Sequence, residues 1–193
     1  MPTEARTSKR DQLIDAALEL FDAGGFHATG IDAIIARAGV AKMTLYKHFG
    51  SKDELIVAAL DRCSQDALAC LRSKIESASD DPEERLLAIF EIAQQQCADK
   101  AWRGCTFLRA AGEFGDVDSP VHAAAANHGA RVLEYLTSLC AAVGVAKPGC
   151  LAQQLLVLHT GAVASAQIAG AIDPVCSARS TAKVLIDAAR AHG

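Results

Sequence analysis

Apolar residues return every three or four positions along the chain, and no segment sustains an apolar–polar alternation. That period aligns side chains on one face of a helix, so the sequence can bury them only by packing helix on helix. Glycine and proline cluster between the periodic runs and punctuate them. Leu13, Ala17, Leu20 and Phe21 form the stripe of a first helix at about 9–23, stopped by Gly24-Gly25. Ile31, Ile34, Ile35 and Ala38 give a second at 31–38, ending at Gly39, and a third covers about 41–48. Ser51 with Glu54 three residues on is a capping box that opens a fourth helix to about 76. Ser-Asp-Asp-Pro at 79–82 breaks the pattern, and Pro82 suits the first turn of a fifth helix to about 99. Further helices are expected at about 105–114, 121–143, 150–170 and 177–191. The fold class is therefore all-α: a three-helix head over residues 1–56 and a larger helical bundle over 57–193.

With 193 residues, 51 % of them apolar and 22 % charged, the chain can build a real core and is not of disordered composition. No stretch reaches the ~18 unbroken apolar residues of a membrane span. Arg6, Lys9 and Arg10 are followed by Asp11, Asp15 and Glu19, unlike a secretory leader, so a cytoplasmic protein is expected. The seven cysteines include no C-x-x-C pair and read as reduced thiols buried as small hydrophobes. Cys63 and Cys70 lie two turns apart, roughly 10 Å by helix rise, too far for a disulfide; a sensor role through another pair stays open.

A net charge of −4 argues against a general nucleic-acid coat. The distribution says more. Between Arg37 and Lys52 stand Arg37, Lys42, Lys47, Lys52 and His48 with no acid among them. A basic strip inside an acidic chain suggests one specific anionic surface. The same stretch holds two helices of about eight residues joined by Ala38-Gly39-Val40, the helix-turn-helix pattern. Gly39 allows the left-handed backbone of a tight turn. In the second helix Leu45 and Phe49 fall on the core side with Val40. Lys42, Met43, Thr44, Tyr46, Lys47 and His48 remain for DNA, with Lys52 beyond them. Lysines can neutralise phosphates, Thr44 and Tyr46 can donate to phosphate oxygens, and Met43 can touch a thymine methyl.

Residues 13–56, above all Ala38-Gly39-Val40-Ala41-Lys42-Met43-Thr44-Leu45-Tyr46-Lys47-His48-Phe49 and Ser51-Lys52-Asp53-Glu54-Leu55, closely resemble the DNA-binding head of TetR-family repressors. The remainder resembles the family in architecture alone. The resemblance implies a homodimer on a roughly palindromic operator, with a small-molecule pocket in the bundle whose inducer releases the DNA. Two positions depart from the family pattern. Gly30 and Ala41 stand where Thr and Ser are frequent, so neither short helix has a strong side-chain N-cap. Thr29 is then expected to cap or to contact a phosphate.

In the aliphatic background of the bundle, Gln94, Trp102, Cys105, Phe107, Arg109, Glu113, Phe114, His122 and His159 are the candidates for a ligand pocket. Leu151, Leu155, Leu158, Ala162, Ser165 and Ala169 form one stripe, and Ala182, Leu185, Ile186 and Ala189 another. Both are expected to make the dimer contact. His122, His128 and His159 lack i,i+4 metal pairing, so no metal or cofactor is expected. There is no G-x-S-x-G, P-loop or G-x-G-x-x-G signature of an enzyme. The competing readings are a helical enzyme or carrier whose head does not bind DNA, and a family member that answers to a partner protein instead of a ligand.

Overall fold

The computed structural model describes residues 8–191, which form helices α1 (Lys9–Gly24), α2 (Ile31–Ala38), α3 (Lys42–His48), α4 (Lys52–Ala78), α5 (Pro82–Ala98), α6 (Thr106–Glu113), α7 (Pro120–Val143), α8 (Pro148–Ala169) and α9 (Asp173–Ala191). Arg6 and the outermost ends of both expected domains lie outside the described residues. No strand occurs among the described residues, and none of their helices is long and apolar enough to cross a membrane. The chain divides into two compact units: residues up to Gln65 with Arg109–Ala126, and Asp66–Leu108 with the chain from Asn127 onward. A contiguous division after residue 56 does not contain this feature, because 109–126 folds with the head.

In the first unit α1 packs on both α2 and α3 around Leu13, Ile14, Ala17, Phe21, Ile34 and Leu45. The Ser8 hydroxyl accepts the Asp11 N–H at 3.1 Å and starts α1. The turn after α2 depends on Gly39, at φ 63° and ψ 38°, where any Cβ would be strained. Ser51 Oγ accepts the Glu54 N–H at 3.1 Å, and the Glu54 carboxylate accepts the Gly50 N–H at 2.8 Å. The capping box thus forms, with its return bond one residue earlier than the usual pairing.

The core of the second unit joins Leu86, Ile89 and Phe90 of α5, Leu136 and Cys140 of α7, Leu151 and Leu155 of α8, and Ala182 and Ile186 of α9. This corrects the expected dimer stripes. Leu151, Leu155, Ala162, Ala182 and Ile186 are buried inside the subunit, and Leu158, Leu185 and Ala189 pack partly against the same core. Ser165 and Ala169 are exposed. The opposite side of α8 carries Cys150, Gln154, Val157, Gly161, Ala164 and Ile168 at alternating spacings of four and three. Val157 is 64 % and Ile168 88 % exposed, as is Val184 of α9 at 66 %. The last helix starts at Asp173 instead of 177, because Pro174 fits a first turn whose N–H groups have no helical partner in any case. Of the cysteines only Cys140 is buried, its thiol pushed up to about 11 by that burial; Cys70, Cys150 and Cys176 are exposed, against the expectation of buried hydrophobes.

Tyr135 packs its ring beneath the Arg72 guanidinium at 4.9 Å, yet its buried hydroxyl has no hydrogen-bond partner. Tyr135→Phe keeps the ring contact and removes the unsatisfied atom. It is expected to raise the unfolding free energy by about 1 kcal/mol in urea denaturation. A loss of that size would show that the hydroxyl has a partner in solution.

Candidate nucleic-acid interface

A seven-residue helix has too few internal bonds to stand alone in water. α3 is held by what it buries: Leu45 is fully enclosed and Phe49 nearly so, with the Arg10 guanidinium 5.3 Å from the Phe49 ring. That fixes the phase of the helix. Met43 is 79 % and Tyr46 47 % exposed, Lys47 and His48 are exposed, and Thr44 is half-buried. Exposed Met43 and Tyr46 are apolar surface with no internal use, as a base-contacting face requires.

The cations of the strip differ in what they already hold. Lys42 Nζ is 3.1 Å from Asp32 Oδ1 of α2, a hydrogen bond and charge that raise its pKa. Arg37 pairs with Glu19, and Lys52 donates to the His27 carbonyl at 3.2 Å. Lys47 is exposed and has no partner among the described residues. Thr29 departs from the expectation. It is buried, and its hydroxyl donates to the carbonyls of Gly25 (2.7 Å) and Leu20 (3.2 Å), so it neither caps α2 nor reaches a phosphate. Gly30 and Ala41 indeed begin α2 and α3 without a side-chain cap.

The nine pocket candidates separate into two groups. Arg109, Glu113, Phe114 and His122 are part of the first unit and buttress the head, a correction to their expected role. Arg109 donates to the carbonyls of Phe21 (2.9 Å) and Asp22 (3.1 Å), closing the C-terminal end of α1. The two carboxylate oxygens of Glu113 accept the N–H groups of Phe26 (3.0 Å) and His27 (2.7 Å). Phe114 stacks on the His27 ring at 4.5 Å, and the Phe114 carbonyl lies 2.9 Å from His122 Nδ1. Burial alone would raise the Glu113 pKa; the N–H donors of His27 and Phe26, with the charges of His27 and Arg109, outweigh it and hold it low.

The other group lies in the second unit, where Gln94, Trp102, Cys105, Phe107 and His159 are all half-buried. Phe107 stacks flat on His128 at 3.6 Å, and His159 meets the Phe90 ring at 5.9 Å. Gln94 follows Phe90 by four residues on α5 and shares its face. Cys105 donates its N–H to Gln167 Oε1 at 3.2 Å, and Trp102 sits in the link, its own N–H bonded to the Asp99 carbonyl. His128 and Phe90 enter this cluster although the sequence did not single them out as ligand residues. The four-residue spacing to Gln94 is a signal for Phe90; nothing marks His128.

Residues 13–59 match the profile of bacterial regulatory proteins of the tetR family. Across nearly the whole molecule, a crystal structure of a TetR-type regulator of Streptomyces avermitilis superposes with a TM-score of 0.82 at 32 % identity, covering 95 % of this chain and 98 % of that one. The chain belongs to the TetR family of transcriptional regulators. The family places it among regulators of transcription and not among enzymes. The transcriptional activator FasR of Mycolicibacterium smegmatis is 42 % identical over 86 residues, 45 % of this chain and 39 % of FasR. UidR of Escherichia coli is 40 % identical over 76 residues, 39 % of this chain and 38 % of UidR. The chain thus aligns with about two fifths of the length of these curated relatives. Reduced NemR of Escherichia coli shares the fold with a TM-score of 0.83 at 23 % identity.

In this TetR-type head the Glu113 bonds hold the α1–α2 turn, and their loss can be measured. Glu113→Ala should destabilise the protein by about 2 kcal/mol once solvent screening of a half-buried carboxylate is allowed for. Because the folded pKa is the lower one, this contribution is full above the ordinary carboxylate pKa and fades as pH falls through the folded value. Wild type and Glu113→Ala should therefore converge in stability towards acid. A gap of equal size at neutral pH and below the folded value would contradict the assignment.

Proposed function

We propose that the protein is a homodimeric transcriptional repressor that binds a roughly palindromic operator through α3 and is released by a small molecule held in the second unit. The observation that carries the DNA-binding reading is the outer face of α3, with Met43, Tyr46, Lys47 and His48 exposed while Leu45 and Phe49 lock the helix from behind. Lys47 takes a phosphate, Met43 and Tyr46 face base edges and the sugar–phosphate rim, and Lys42 and Lys52 add charge while keeping their internal bonds. His48 and half-buried Thr44 complete the set. Among relatives, KstR of Mycolicibacterium smegmatis is a repressor, 42 % identical over 60 residues, whereas FasR is an activator. Repression is the reading adopted here because occupying a promoter needs nothing beyond the DNA contact. A cytoplasmic location follows from that role.

Binding of labelled operator by anisotropy tests the contact. Lys47→Ala should weaken all DNA sequences similarly and reduce the slope of log K against log salt by ~1. An unchanged slope and affinity at matched salt would remove Lys47 from the interface.

The dimer is assigned to the outward face of α8 and α9 and not to the buried stripes. Val157, Gly161 and Ile168 of α8 and Val184 of α9 are exposed, and Gly161 lets backbones approach closely. Two helices from each subunit would make a four-helix contact. Val157→Glu should leave helix content and thermal midpoint near wild type while giving a monomer by light scattering. Its operator affinity should fall steeply, since two linked heads must engage two half-sites together. A dimeric Val157→Glu would place the interface elsewhere. Ala162→Glu, in contrast, should damage the fold itself, because Ala162 is internal.

A further inference from the structure

The imidazole of His159 is half-buried among crowded protein atoms and has no hydrogen-bond partner among the described residues. A polar side chain in that state lacks the partner its setting demands. Its neighbours are Phe90, edge-on at 5.9 Å, and the second imidazole of His128, which lies flat on Phe107 at 3.6 Å with an interplanar angle of 6°. Four helices thus bring two aromatic rings and two imidazoles together: Phe90 from α5, Phe107 from α6, His128 from α7 and His159 from α8.

Both imidazoles are uncharged at neutral pH. Burial pushes His159 down to about 4, and burial together with the charges of Arg131 and His159 pushes His128 to about 4. No carboxylate contributes to either shift. Arg131 of α7 adds a positive charge that acts on His128. An imidazole without a hydrogen-bond partner among the described residues, set beside aromatic rings and shifted by no carboxylate, is matched by an apolar molecule carrying one negative charge. A bound anion opposes what keeps the imidazoles neutral, so one of them takes up a proton from water and forms a charge-assisted bond.

We propose that the cluster of Phe90, Phe107, His128 and His159 is a binding site for a small aromatic carboxylate, which enters as the anion and is neutralised by protonation of an imidazole. This rests on the reading of the second unit as the ligand-binding part.

The test is isothermal titration of the full-length protein with benzoate, cinnamate and 1-naphthoate, each beside its carboxamide, in two buffers of different ionisation enthalpy. At least one acid should bind tenfold or more tightly than its amide, with proton uptake at neutral pH and affinity that falls as pH rises. His159→Phe keeps the ring contact with Phe90 and should remove most of the preference for the acid while sparing the amide. His128→Phe serves as the second variant if that one fails to fold. Amides that bind as well as acids, acids that bind without proton uptake, or no binding by any member at millimolar concentration would each overturn the proposal. Acid binding with proton uptake that leaves operator affinity unchanged would keep this site and overturn the ligand-release reading instead.

Discussion

Everything the head presents to solvent follows from the burial of two side chains, Leu45 and Phe49, on a helix too short to exist without them. Spaced four residues apart, they fix the rotation of α3 about its axis against α1 and α2. Met43, Tyr46 and Lys47 then have no direction left but outward. The left-handed Gly39 sets where α3 begins relative to α2, and any other residue there would carry backbone strain. The surface is thus specified from the inside, by packing, and its chemistry can vary without disturbing the fold that displays it.

The polar residues of the head are divided between holding and presenting. Thr29, Arg109 and Glu113 satisfy backbone groups around the α1–α2 turn, where chain ends of a helix leave carbonyls and N–H groups unmatched. Lys42 and Lys52 are intermediate, each with one internal bond and spare donors. Lys47 is wholly outward. The charge-assisted bonds of Arg109 and Glu113 stand behind the turn, and Lys47, with no partner among the described residues, stands exposed in front.

Helix-turn-helix, head and all-α class were legible because they depend on local signals: 3.6-residue spacing, Gly39, and the Ser51–Glu54 box. The roles of Arg109 and Glu113 were not, since their partners stand more than eighty positions away and nothing in a local pattern points to them. The dimer stripe failed for another reason. α8 is apolar on two sides, so Leu151-Leu155-Leu158-Ala162 and Val157-Gly161-Ala164-Ile168 are equally regular, and only the packing of α8 against α5 and α9 decides which one is interior. Pocket candidates chosen for being polar among aliphatics mixed both populations. Those that bond the backbone of the head and those that lie in the second unit look alike until the fold separates them.

Selection of duplexes from a random DNA pool by the full-length protein tests the central claim, that α3 is displayed to read a specific site, most directly. The account predicts enrichment of one inverted repeat, whose preferred bases change on Met43→Ala but not on Lys47→Ala, as the proposed base contact of the first and phosphate contact of the second require. A pool that emerges no different from its input, or an enriched motif indifferent to both substitutions, would contradict it.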